Sequence, residues 1–216
     1  MKIIALTGFM GCGKSSVGRR LSELLCCSFM DLDAVIETQT GRSIPEIFAS
    51  DGETAFRDIE RDILTDVLSA TMAVSSRDPL PQTSCGPLPL AGGGKMPLTH
   101  DSDAPQKAHS SKIPLILSLG GGTVMTPECE KLIHENTLCV YLRTSVETLV
   151  SRLTDEAEGR PMLNASHTQH EALRTRIESL IVQRASTYER TAHIIIDTDS
   201  HTIDFLARSI LHTISL

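Results

Sequence analysis

The stretch "GFMGCGKSS", Gly8 to Ser16, decides the fold. Before it stands "KIIALT", a short apolar, β-branched run that predicts a strand. After it, Val17, Leu21, Leu24 and Leu25 recur at helical spacing between Lys14 and Cys26. Between strand and helix, Gly8-x-x-x-x-Gly13-Lys14-Ser15 fits G-x-x-x-x-G-K-[ST], the P-loop. Each residue type has a physical reason. Glycines let the backbone adopt positive φ and approach phosphate oxygens closely. Successive N–H groups then turn inward as an anion nest. The helix that starts near Lys14 adds its positive end. Lys14 reaches the β- and γ-phosphates, and the Ser15 hydroxyl suits Mg²⁺. Gly11, Cys12, Gly13, Lys14, Ser15 and Ser16 are therefore the expected contacts of a nucleoside triphosphate.

Other nucleotide readings fail. A dinucleotide fingerprint would need a third glycine at position 16, which is Ser16. A GTPase would need a base-reading segment such as N-K-x-D, which the sequence lacks. A motor or transporter ATPase would be longer than 216 residues. Phosphate transfer to a small molecule is the reaction that fits.

Moving outward, strand patterns alternate with helical ones. "FMDLD" (29–33) reads as a second strand ending in acids, and a polar helical region follows from Ala34 to about Ala70. Within it Ser43 and Pro45 mark a helix start, and Asp51-Gly52 a turn. "IPLILSLGGG", "LCVYL" (138–142) and "HIIID" (193–197) supply three more strands. Helices are expected at Pro127–His134, Val146–Leu153, Gln169–Ala185 and about Thr202–His212. Five apolar strands separated by helices predict an α/β fold with a five-stranded parallel sheet covered on both faces.

Residues 71–112 differ in character. They hold six of the ten prolines, four glycines and no aromatic residue. Such a segment buries too little apolar surface to offset its ordering entropy, so a disordered insertion within one domain of 216 residues is expected.

Composition narrows the class. Lys and Arg number 20 against 27 Asp and Glu, a net charge of −7, which disfavours nucleic acid as a partner. The six cysteines form no C-x-x-C pair and read as reduced thiols of a cytoplasmic protein. His167 and His170 stand three apart without an evident third ligand, a weak case for zinc. Lys2 and "IIAL" resemble a signal peptide only faintly, and no stretch approaches the length of a membrane helix. A soluble monomer is expected.

Further residues supply a second half-site. Asp31 and Asp33 close the second strand, at the sheet edge where ligands bind. One carboxylate suits Mg²⁺ through water and the other suits a substrate hydroxyl. The bland alternative is a pair of helix-capping acids. Arg57 shares a helix face with Glu60 and Arg61. That face is either a solvated ion-pair surface or a guanidinium presented to a carboxylate. Gly120, Gly121 and Gly122 end a strand, which calls for a tight turn or close approach to a ligand. "AGGG" at 91–94 mimics them without a preceding strand and is discounted.

Together these pieces resemble the shikimate kinases. The matching segments are "GFMGCGKSSVGRRL" (8–21), "DLD" (31–33), "GETAFRDIE" (52–60), "LSLGGG" (117–122), "GRPML" (159–163) and "RASTYER" (184–190). The resemblance implies transfer of phosphate from ATP to the 3-hydroxyl of shikimate, with Mg²⁺ as cofactor. It implies that Lys14, Asp33 and Arg160 are catalytic, with Asp33 binding the substrate hydroxyls and acting as base. Arg57 and Arg184 would clamp the carboxylate beside Gly120, Gly121 and Gly122. Ser15 and Asp31 would hold the metal, with Ser118 near it. Arg160 would ride on a lid from Thr154 to about His170. Arg152 would stack on adenine, or be an ordinary surface arginine. After the last strand "DTDSH" lacks the family's basic adenine-loop residue, and His201 is the candidate substitute. A gluconate or nucleotide kinase, and a non-catalytic ligand sensor, are the alternatives.

Overall fold

A computed structural model describes residues 3–75, 113–158 and 167–214. Five parallel strands form one sheet in the order β2-β3-β1-β4-β5. They are β1 (Ile3–Thr7), β2 (Ser28–Asp31), β3 (Leu115–Ser118), β4 (Thr137–Arg143) and β5 (Ile194–Asp197). The helices are α1 (Lys14–Leu25), α2 (Leu32–Thr40), α3 (Ile44–Ser50), α4 (Gly52–Ser75), α5 (Pro127–Asn136), α6 (Val146–Glu158), α7 (His167–Thr191) and α8 (Ile203–Ile214). A single 3₁₀ turn, Thr123–Met125, separates β3 from α5.

Strand β1 is central because all five of its residues are buried. Its side chains alternate between two cores, as a strand's period of two requires. Ile3 and Ala5 join Leu32, Ile36, Leu64, Cys129 and Ile133 from α2, α4 and α5. Ile4 and Leu6 join Val17, Leu21, Leu206 and Ile210 from α1 and α8. The sheet is thus covered on both faces, as the apolar strands predict.

The topology also places the site. From β1 the chain crosses through α1 to β2, and from neighbouring β3 through α5 to β4. The two crossovers leave on opposite faces and in opposite directions, so a crevice opens beyond the C-terminal ends of β1 and β3.

Several boundaries differ from those read in the sequence. Strand β2 stops at Asp31, because Asp31 caps α2: its Oδ1 accepts the Asp33 N–H at 3.2 Å. The polar region divides into three helices, with a Ser43–Glu46 capping box opening α3 and Gly41, at φ 65°, closing α2. Helix α4 runs to Ser75, five residues into the expected insertion; residues 76–112 lie outside the described ones. Helix α7 continues past Ala185 to Thr191 because Ile177 and Tyr188 are buried along it. Of the expected lid, Thr154–Glu158 belong to α6 and 167–170 to α7, while 159–166, with Arg160, lie outside the described residues. Among the described residues no helix is long and apolar enough to cross a membrane.

Candidate active site

The Gly8–Ser15 turn joins β1 to α1 as its sequence requires. Gly11 and Gly13 have φ of 78° and 96°, conformations that side-chain-bearing residues rarely adopt. Gly13 is the N-cap of α1, so the helix's free N–H groups and its positive end face the loop. Lys14 Nζ donates to the Gly8 and Phe9 carbonyls at 2.9 and 3.0 Å. These bonds lay the ammonium along the turn. Arg152, on α6, donates to the Gly11 carbonyl at 3.2 Å and so lies against the same loop.

Sheet register assembles the oxygen cluster. Asp31 pairs with Ser118, and Ser118 with Leu6, so the ends of β2 and β3 flank the start of the loop. Ser15 Oγ donates to Asp31 Oδ2 at 2.6 Å and lies 3.5 Å from Ser118 Oγ. One carboxylate and two hydroxyls are hard oxygen donors, which suit Mg²⁺ shared with phosphates. No group of three His, Cys, Asp or Glu side chains is placed to hold a metal among the described residues.

Asp33 stands in the first turn of α2 rather than on the strand. Burial, reinforced by the nearby Asp31 and Glu60 charges and opposed by Lys14, raises its carboxyl to about 6. A carboxylate in that range accepts a proton more readily than an exposed one.

The glycine triplet gathers three charged side chains. A Cβ at Gly120 would lie 2.7 Å from Asp33 Oδ1. The Gly121 carbonyl accepts from Arg184 Nη1 at 3.3 Å and from the Tyr188 hydroxyl. A Cβ at Gly122 would lie 2.5 Å from Arg57 Nη2. A side chain at Gly120 or Gly122 would displace a carboxylate or a guanidinium, and one at Gly121 would crowd the Met10 backbone N at 3.3 Å, so close approach explains the glycines.

Arg57 and Arg61 part company. Arg61 pairs with Asp58 and Asp62 in solvent. Arg57 pairs with Glu60 at 2.7 Å, and Glu60 is only 1% exposed. A buried carboxylate must be matched, and the Thr123 hydroxyl donates to its other oxygen at 2.6 Å. Sequence reasoning noticed Glu60 only as a possible surface pair, and missed Thr123. The sequence pattern assigns Tyr188 no role. Burial pushes its phenol up to about 12, so it remains a donor to Gly121.

A match to known proteins agrees with this geometry. The sequence model of a family described as shikimate kinase matches residues 10–77 and 100–215. The chain belongs to the shikimate kinase family. A shikimate kinase of Thermus thermophilus is 33% identical over 208 residues, covering 96% of this chain and 87% of that protein. One from Pelotomaculum thermopropionicum is 31% identical over 212 residues, covering 98% and 95%. Among solved structures, the shikimate kinase from Acinetobacter baumannii in complex with shikimate is 29% identical, with a TM-score of 0.70 over 100% of this chain and 93% of that one. The family model passes over 78–99, within the segment whose composition departs from the rest.

The His201 ring stacks on Phe205 at 4.4 Å. The five described cysteines, Cys12, Cys26, Cys27, Cys129 and Cys139, are free; Cys85 lies outside the described residues.

Proposed function

We propose that the chain transfers the terminal phosphoryl group of ATP to the 3-hydroxyl of shikimate, giving shikimate 3-phosphate and ADP. One observation carries the assignment: Asp33, Arg184 and Arg57 stand at three successive glycines, beside a P-loop. A carboxylated ring bearing hydroxyls matches that row. Arg57 and Arg184 bind its carboxylate, in the paired geometry arginine favours. The carbonyls of Gly120, Gly121 and Gly122 are all taken by protein donors. What the triplet offers an acid is therefore its N–H groups.

Asp33 orients the 3-hydroxyl and receives its proton as the oxygen attacks phosphorus. The P-loop amides hold the phosphates, and Lys14 swings from the Gly8 and Phe9 carbonyls to the transferring group. Ser15 and Asp31, with Ser118 beside them, would hold Mg²⁺, which would supply positive charge against the phosphates. Arg160, which lies outside the described residues, would add a further cation for the phosphates. Arg152 borders the nucleotide through Gly11. A cytoplasmic monomer acting on two small molecules, without nucleic acid, suits the acidic composition.

The test is ADP release by the purified protein with ATP, Mg²⁺ and one of three acceptors: shikimate, gluconate or a nucleoside monophosphate. Release that depends on shikimate alone is expected. Protein that holds ATP yet ignores millimolar shikimate would end the assignment.

A further inference from the structure

Thr123 is fully buried, at 0% exposure, in the turn that follows the glycine triplet. Its hydroxyl donates to Glu60 Oε1 at 2.6 Å and lies 3.1 Å from the Gly120 carbonyl oxygen. Glu60 Oε2 in turn accepts from Arg57 Nη1 at 2.7 Å. The two carboxylate oxygens thus have separate tasks. One is tied to the turn and the other to the guanidinium. A buried carboxylate seeks as many donors as it can reach. Without the hydroxyl, Glu60 would turn both oxygens toward Arg57, the one cation in hydrogen-bond contact with it among the described residues. Arg57 would then give more of its donors to Glu60 and fewer to an incoming acid.

We infer that Thr123 is a positioning residue for the carboxylate clamp: by fixing Glu60 it fixes Arg57 at Gly122, and so sets affinity for the acidic substrate without touching it. This rests on the reading of the site given above. It goes further, because it places part of the substrate's affinity in a side chain outside the contact shell.

Steady-state kinetics of Thr123→Val, which keeps shape and removes the hydroxyl, test it beside Thr123→Ser. For Thr123→Val the shikimate KM is expected to rise roughly fivefold or more, the loss of one hydrogen bond to a charged group. The ATP KM should stay within about twofold, and Thr123→Ser should return the shikimate KM to within about twofold of the wild type. If Thr123→Val does not fold by thermal melting, Thr123→Ala is read in its place. An unchanged shikimate KM, equal rises in both KM values, or no rescue by serine would overturn the inference. Wild-type protein without shikimate-dependent turnover would instead overturn the reading on which it rests.

Discussion

At the residue scale, the site sets Lys14 on the P-loop and Asp33, Arg57 and Arg184 around the glycine triplet. Lys14 is the strongest test of the nucleotide half. Lys14→Ala should lower kcat by at least about 10²-fold, the effect of losing a preorganised charge at the reacting group. Single-turnover ADP formation measures it; an unchanged kcat would exclude the role. Arg57→Ala should mainly raise the shikimate KM, by roughly 10- to 100-fold, since a charged donor to the carboxylate is lost. Asp33 predicts a stability effect with a definite sign. Its native carboxyl is raised to about 6 against an ordinary 3.8. The native state therefore favours the neutral form, fully present below pH 3.8 and lost as pH rises through 6. In metal-free protein, Asp33→Asn should be more stable than wild type at pH 8 by about 1–2 kcal/mol. The difference should shrink toward pH 4, where both side chains are neutral. Urea melts at the two pH values show it, and a gap independent of pH would contradict the cause. The same variant should be inactive, so function and stability oppose each other at this carboxyl.

At the scale of elements, helices and strands bring these residues together through small, closely packed joints. Gly18, in α1, shows how close. A Cβ there would meet Phe29 of β2 at 2.6 Å and Leu6 of β1 at 3.1 Å. Alanine would gain about 1 kcal/mol of helix propensity and lose about 1–3 kcal/mol to overpacking. Gly18→Ala should therefore be destabilised by about 1 kcal/mol in urea melts; a more stable variant would show that Phe29 yields freely. The sequence showed this element clearly, since Val17 and Leu21 set the helix period. It did not show that Gly18 faces β2, because a glycine carries no mark of what it touches. The end of β2 was legible only in part. "FMDLD" reads as one apolar-acidic run, yet a capping bond from Asp33 N–H to Asp31 stops the strand two residues early. Local hydrogen bonds of this kind compete with the strand ladder, and periodicity does not register them.

At the scale of the whole molecule, the fold is one sheet with two cores, and its ligand edge lies where the crossovers diverge. That edge is built from chain segments far apart in sequence: the P-loop, Asp31–Asp33, α4, the glycine triplet and α7. Residues 78–99 fall outside the family match. We expect a chain with 78–99 replaced by a short linker to keep its shikimate-dependent kcat within about twofold, since the closure entropy of a connecting segment changes only slowly with its length. A folded but inactive deletion variant would assign that segment a role in turnover.

The sequence alone determined the strand–loop–helix that binds phosphate, the parallel sheet and most of the charged residues beside it. Those features are local: a glycine spacing, an apolar period and a lysine at a helix start carry their physics within a dozen residues. Only the tertiary structure decided which charges meet. Glu60 is a surface-helix acid by pattern and a buried hub by packing. Thr123 and Tyr188 look ordinary until the fold sets them against Glu60 and Gly121. Burial strengthens electrostatic contacts between residues distant in the chain, and burial is a property of the assembled layers that no short window of sequence contains.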